Sequence, residues 1–548
     1  MEIYEGVTIS PGIAIGKIWY HQTPEQLGYP HAISDVKQEL VRYQSAKEQA
    51  AAQLAGAYEG AVADGDQRQA ILYKRQISLL ESAGFSRAIE SLVSAEKVNV
   101  SYALVTTRDE LAATFSALSD AVVADQISDM RAVTERLTYI LDGLSRERYT
   151  LEEPVIIAAA KMSPSEVMEL DKNKVLGFLT QGGSSLSHTS ILVKAANVPS
   201  LIHVPVQAQW EGRMCIVDGH TGKMYLDPDA LLLEEYEERQ EQERKERAYL
   251  QSLKYAEDVT ADGHRVQLYA NIADLEDMDS ALESGAGGIG LLRSEFQYLG
   301  RDNYPSEREL FETYKKAAQT MGEKLVIIRT LDIGSEKRED YMGLSQEGNP
   351  AMGNRGIRFC LQKKDMFKEQ LRAIYHASSY GNLAVMYPMI TSVDEIREVQ
   401  EMVREVKKDL KEQKIPYKDI QQGIVVETPA AVMMARELAR EVDFLSVGTN
   451  DLTQYTLAMD RQNPHLKDRY RQHHPAILKM ICIVIKESHK EGRWAGICGE
   501  LAADTVLTGE FLRMGVDMLS VVPSCILPVR KEIRETVIHG QTGAAPGL

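Results

Sequence analysis

From Val266 onward, short apolar runs rich in β-branched residues recur with stretches of helical spacing between them. They are Val266–Ile272, Gly287–Leu292, Lys324–Leu331, Leu383–Ile390, Gly423–Glu427, Val442–Val447, Trp494–Cys498 and Asp517–Val522. Eight such β/α units in about 280 residues are the number and length of a TIM (β/α)8 barrel, which this pattern predicts over 259–548. The N-terminal half is patterned differently. Residues 1–20 carry strand-like residues punctuated by Gly6, Pro11, Gly12 and Gly16. From Ser34 to Leu144 the chain is rich in Ala, Leu, Gln and Glu and free of proline, with apolar positions such as Ile77, Leu80 and Ile89 at helical spacing. This predicts a helical bundle over 21–149, inserted into something else. Strand signals return at Val155–Ala158, Val175–Leu179, Ser200–Val204, Met214–Asp218 and Lys223–Leu226, so 1–20 and 150–230 are expected to form one α/β domain around the insert. Residues Glu234 to Asp258 form helix readily but have almost no apolar face over their first half. Such a helix is either a connector between domains or a charged surface helix, and the connector reading gives a linker over 231–258.

Composition sharpens the picture at three points. A chain of 548 residues exceeds one hydrophobic core and implies two to four domains. A net charge of -18 argues against a nucleic-acid or membrane-surface partner, because phosphates are repelled outside local basic pockets. The five cysteines are odd in number, widely spaced and without a C-x-x-C, which fits a reducing cytoplasm. No apolar run approaches the roughly 18 residues of a membrane span, and Glu2 and Glu5 stand where a leader would be basic. A cytoplasmic protein is expected, with no nucleic acid and no membrane insertion.

In a TIM barrel the reactive groups stand at the C-terminal ends of the strands. Here those ends carry Asn271, Arg293, Arg329, Glu427, Asn450, Asp451 and Cys498. Arg293 and Arg329 offer planar forks for a small dianion. Glu427 and Asp451, on adjacent strands, offer hard oxygen ligands for Mg2+ shared with a substrate phosphate, and the lack of a neighbouring His or Cys disfavours zinc. Cys498, with open backbone around it, could donate a proton to an enolate at neutral pH, whereas Cys215, Cys360, Cys482 and Cys525 read as small buried apolar residues. Upstream, Gly182 and Gly183, three serines and the run Ile191–Ala196 place His188 at a helix start. Unpaired N–H groups and the helix dipole favour an anion there, so a phosphoryl group on this imidazole would be stabilised.

These residues resemble a known family. Arg293-Ser294-Glu295-Phe296, Arg329-Thr330-Leu331-Asp332-Ile333-Gly334, Glu427-Thr428-Pro429-Ala430-Ala431, Gly448-Thr449-Asn450-Asp451-Leu452-Thr453-Gln454-Tyr455, Asp460-Arg461 and Cys498-Gly499-Glu500, with Ser187-His188-Thr189-Ser190 upstream, are similar to enzyme I of the bacterial phosphotransferase system. The resemblance implies an α/β multidomain chain: a swivelling phosphohistidine domain, an inserted helical domain that docks the phosphocarrier HPr, and a TIM barrel that binds phosphoenolpyruvate and Mg2+ and pairs as a homodimer. It implies that His188 carries the phosphoryl group on Nε2 and passes it to HPr in the first step of sugar uptake. Arg293, Arg329, Asn450, Asp451, Arg461 and Arg355 would hold phosphoenolpyruvate, Glu427 and Asp451 the metal, and Cys498 would protonate the enolate.

Several positions depart from the family pattern. Ser184 and Ser185 stand where it has glycine and arginine, Val167 where it has a threonine able to bond the resting histidine, and Gln76 where the docking region has a histidine. Ser335-Glu336-Lys337 replaces a Gly-Asp-Lys run, and the chain stops short of the family's last helical segment. Two alternatives follow. A dikinase or synthase of the same mechanism would need a nucleotide-binding domain that the first 150 residues or so do not resemble. A regulatory or weakly active paralogue is favoured by Ser185 and Val167 and opposed by the retained reactive residues.

Overall fold

The computed structural model describes all residues except 22–29, 64–66, 117–120, 142–150, 152, 163–165, 168–169, 172, 185–187, 197, 336–339, 462, 467–468, 472 and 539–548. It divides into two compact units, Met1–Glu246 and Arg247–Leu548.

In the first unit, strands β1 (Glu2–Glu5), β2 (Val7–Ser10), β3 (Ile13–His21), β4 (Val155–Ala159), β5 (Val175–Thr180), β6 (Ser200–Ile202), β7 (Met214–Asp218) and β8 (Lys223–Leu226) form one sheet. Its order is β1-β8-β7-β3-β4-β5-β6-β2. The centre, β3 through β6, is parallel, and antiparallel strands complete both edges. Alternation along β4 decides the two faces. Ile156 and Ala158 pack with Leu179, Leu201 and Trp210, whereas Val155, Ile157 and Ala159 pack with Phe178, Ile202 and Val193. Between the adjacent strands β3 and β4 the chain makes helices α1 (Val36–Ala63), α2 (Gln67–Leu80), α3 (Ala83–Glu96), α4 (Val100–Ser116) and α5 (Ala121–Leu141). Their own core is built on Tyr43, Leu54, Leu80, Ile89, Leu104 and Leu137. Since β3 and β4 pair directly, the insert leaves the sheet unbroken. Strand β6 ends two residues earlier than its apolar run suggests, because His203 takes φ +63°, outside any strand conformation.

The charged helix α7 spans Ala230–Ser252, and its first turns do have a buried side. Leu232 and Leu233 pack beside Ile13 and Ile216, and Tyr236 is buried with its hydroxyl donating to Asp218 at 2.8 Å. Gln240 donates to the Ile13 carbonyl. The three apolar residues are too few to register as a stripe in so charged a segment. The boundary between the units falls inside this helix.

The second unit is a closed barrel of eight strands: β9 (Gln267–Ile272), β10 (Ile289–Arg293), β11 (Val326–Arg329), β12 (Leu383–Tyr387), β13 (Gln421–Val426), β14 (Phe444–Gly448), β15 (Trp494–Cys498) and β16 (Met518–Val521). Every neighbouring pair is parallel, and β16 closes on β9. Tyr269, Leu291, Ile327, Met386, Val425, Phe444 and Met518 fill the lumen, so the barrel is a packed core and not a pore. The alternate positions face the surrounding helices.

At the base, Arg530 is 2% exposed. It donates to Asp258 at 2.6 Å and to the carbonyls of Leu253, Lys254 and Gly285, tying the segment after α7 to the barrel. Burial raises the Asp258 carboxyl above its usual range, and Arg530 opposes that rise. Arg530→Met leaves this carboxylate without its partner. Calorimetry is expected to show the barrel transition destabilised by about 3–5 kcal/mol, with much of the loss recovered when Asp258→Asn is added.

Candidate active site

The C-terminal ends of the barrel strands bring the sequence-derived residues together. Arg293 and Arg329 are register partners on β10 and β11, and Gly448 and Cys498 are partners on β14 and β15. Glu427 follows β13 directly and lies against Gly448, where a Cβ would sit 3.0 Å from a Glu427 carboxylate oxygen. Asn450 and Asp451 open the helix Thr449–Leu457 that leaves β14.

Two residues that the sequence reading gave no role organise the charges. Asp332 is salt-bridged to Arg329 (3.2 Å) and accepts both Nε and Nη2 of Arg355, the latter at 2.9 Å. Glu295 pairs with Arg329 on its other side. Arg355 also reaches Asp451 at 3.4 Å and Tyr455 at 3.3 Å, while Tyr455 donates to the Ala351 carbonyl. Arg329 and Arg355 thus sit among four carboxylates, those of Glu295, Asp332, Glu427 and Asp451. With all four ionised, the cluster would be two positive charges short. Arg329 Nε is buried without a hydrogen-bond partner among the described residues, leaving a donor for an incoming anion. Arg293 is exposed beside it, and Arg461 is exposed on the loop after the Thr449 helix.

Glu427 is 1% exposed and accepts the backbone N–H of Met389 at 2.6 Å. Met389 takes φ +60°, a left-handed conformation costly for an unbranched side chain, and this is why β12 ends at Tyr387 and not at Ile390. Burial, then the charges of Asp451 and Asp332, push the Glu427 carboxyl well above its usual range. Two buried carboxylates that repel each other, in a cluster with more acids than arginines, fit a divalent cation, which would draw Glu427 into its ionised form. Hard oxygen donors without His or Cys suit Mg2+. Among the described residues no group of three or more His, Cys, Asp or Glu side chains is arranged to hold a metal, so a cation here would draw its other ligands from substrate and water.

Cys498 is 4% exposed, with Sγ donating to the Val447 carbonyl at 3.4 Å. Its surroundings are closed and not open as the glycine after it suggests. Gly499 takes φ +104°, and a Cβ there would meet Thr449 Oγ1 at 2.5 Å. Burial pushes the thiol up to about 11; Glu427 adds to the rise, while Ser446, Arg329 and Arg293 oppose it. The thiol is therefore fully protonated at neutral pH, as a proton donor must be. Of the other cysteines, Cys215 and Cys360 are buried as expected, but Cys482 and Cys525 are half-buried.

The remaining strand-end residues are held by neighbours. Asn450 exchanges hydrogen bonds with Glu500, and Asn271 spends its amide on Ser520. Asn271 is thereby a brace between β9 and β16.

In the first unit, helix α6 (His188–Ala196) begins at His188. Thr189 donates to the Met162 carbonyl and Ser190 to the Ser184 carbonyl, which fixes the first turn. Gly183 takes φ +125°, as the turn before the helix requires, and its carbonyl accepts from His203. The imidazole of His188 and all of Ser185 lie outside the described residues, as do Glu336 and Lys337. Val167 is buried among Phe178, Val193 and Ile202. Gln76 is 1% exposed inside the helical bundle, which takes it off any docking surface.

Comparison with known proteins agrees with this layout. Residues 247–538 match the model described as PEP-utilising enzyme, PEP-binding domain, residues 151–222 the PEP-utilising enzyme, mobile domain, and residues 5–126 the PEP-utilising enzyme, N-terminal. A phosphoenolpyruvate-protein phosphotransferase of Bacillus sp. (strain S) is 37% identical over 534 residues, covering 97% of this chain and 92% of that protein. The chain belongs to the phosphoenolpyruvate-protein phosphotransferase family. The proteins of that name from Geobacillus stearothermophilus (37%) and Bacillus subtilis strain 168 (36%) also match over 97% of this chain, and over 92% and 94% of their own lengths. Membership in the phosphoenolpyruvate-protein phosphotransferase family makes this a phosphotransferase of the enzyme I type, with a mixed α/β multidomain fold ending in a parallel barrel. The relatives named above all carry the name of the enzyme, none that of a regulatory paralogue.

Proposed function

We propose that the chain takes the phosphoryl group of phosphoenolpyruvate onto His188 and passes it to a histidine of HPr. The observation that carries this reading is the barrel mouth, where two arginines, a buried carboxylate pair and a protonated thiol converge. Arg329 and Arg355, already desolvated and fixed by Asp332, bind and orient the anionic substrate, with Arg293 and Arg461 at the rim and Asn450 alongside. In the reaction the imidazole nitrogen of His188, Nε2 by family resemblance, attacks phosphorus. The bond to the enol oxygen breaks, and its electron pair forms the enolate of pyruvate. The Sγ proton of Cys498 passes to the methylene carbon, and the thiolate regains a proton from water. Glu427 and Asp451 would hold Mg2+, which when bound would supply positive charge to the phosphoryl group.

The same reading places HPr on the helical bundle and assigns the chain to the cytoplasm; no helix among the described residues is long and apolar enough to cross a membrane. It also makes the barrel a homodimer, for which Met433 and Val506, 74% and 81% exposed, offer apolar surface.

Incubation with labelled phosphoenolpyruvate and Mg2+ is expected to give one acid-labile phosphate per chain, on His188. Acid-stable label, or none, would reject the reading. Glu427→Gln is expected to slow this phosphorylation by about 100-fold and to shift its Mg2+ titration to higher concentration, since a metal contributes several kcal/mol of charge stabilisation.

A further inference from the structure

A chain with net charge -18 repels an anionic substrate at long range, yet one segment at the mouth reverses the sign. Residues 460–474 read DRQNPHLKDRYRQHH, four Lys or Arg and three His against two Asp. The segment joins the Thr449–Leu457 helix to the helix Pro475–Lys490, which runs back to the start of β15, so its described residues lie on the face where the strands end. Two contacts hold it there. Tyr470 donates its hydroxyl to the carbonyl of Asn450 at 3.0 Å, and His473 pairs with Asp504, which caps the helix Thr505–Met514. The N–H groups of Arg469 and Tyr470 both donate to Leu466, in a turn that leaves Arg469 and Arg471 exposed. Among the described residues neither guanidinium takes a carboxylate partner. Arg461, Glu500 and Asp451 all act on the Tyr470 phenol, which places this turn within electrostatic reach of the buried cluster.

We propose that Arg469 and Arg471 form a capture patch that draws the phosphoenolpyruvate anion to the barrel mouth without touching it once bound. The proposal rests on the reading of that mouth as the phosphoenolpyruvate site. Such attraction acts over a screening length of about 30 Å at 0.01 M salt and only a few ångström near 1 M, so its signature is salt dependence.

The test is single-turnover phosphorylation of the full chain without HPr, followed against phosphoenolpyruvate concentration. The initial slope reports capture and the plateau reports chemistry. For Arg469→Gln/Arg471→Gln, the slope is expected to fall about 3- to 10-fold relative to the parent at 0.01 M ionic strength, to come within about twofold at 0.5 M, and to leave the plateau unchanged. The double Lys variant should keep the parental slope, and the double Glu variant should lose more than the Gln variant. A slope unchanged at low salt, a loss equal at both salts, a lower plateau, or a Lys variant as slow as the Gln variant would each overturn the proposal. A parent that is not phosphorylated at all would instead reject the reading of the site, and the patch with it.

Discussion

A His188→Ala protein is expected to accept no phosphate from phosphoenolpyruvate and none from phospho-HPr. Both transfers pass through one nitrogen, so the variant should lose the two half-reactions together, on the order of 10⁶-fold, the scale seen when a catalytic nucleophile is removed. The barrel should be untouched, because its ligands lie in the second unit and His188 in the first. Calorimetry should therefore still record Mg2+-dependent binding of phosphoenolpyruvate to the variant. That combination, binding without phosphorylation, separates a missing acceptor from a damaged fold. Label appearing on the variant would move the phosphoryl group to another residue and overturn the role given to the helix start at α6.

The barrel was legible because each of its strands is a short apolar run, and because the arginines, carboxylates and cysteine fall at run ends, where packing alone would not place them. Strand β15 was read to the residue, Trp494–Cys498. Strand ends failed where one residue leaves the β region, as Met389 and His203 do, since a positive φ on a residue other than glycine has no signature in local sequence. The counter-charges were harder to see. Asp332 and Glu295 stand within motifs that the family resemblance rests on, but an acid three residues after an arginine reads as a loop ion pair of little consequence. Only the barrel's closure shows that Asp332 bridges the half-buried Arg329 and the buried Arg355. The same is true of Gln76, which reads as a change in a docking region, yet the structure buries it, and burial of a polar amide on α2 depends on how the helices of the insert face one another. The half-buried Cys482 and Cys525 illustrate the reverse error, in which a residue type's usual fate was assigned without its neighbours.

Cys498→Ala is expected to slow pyruvate formation from phosphoenolpyruvate by about 10²- to 10⁴-fold, the usual contribution of a positioned acid. Transfer from phospho-HPr to His188 should be retained, since no carbon is protonated in that direction. Glu427→Gln should also spare this transfer, but it should weaken phosphoenolpyruvate binding with Mg2+, which the cysteine variant should not. The pH dependence distinguishes an acid from a packing residue. Burial holds the thiol near 11, so the proton donor is complete at pH 7 and is lost only as pH rises through that value. At saturating Mg2+, which would hold Glu427 ionised, single-turnover pyruvate release by the parent should accordingly stay level from pH 7 to about 10 and begin to fall above it, whereas the slow residual rate of the alanine variant should lack this limb. A parental rate that fell between pH 8 and 9, where an unperturbed cysteine ionises, would mean that the thiol is not held in the buried, desolvated setting in which the barrel core places it. Pyruvate release at the parental rate by Cys498→Ala would remove the thiol from the chemistry altogether and leave proton delivery to water.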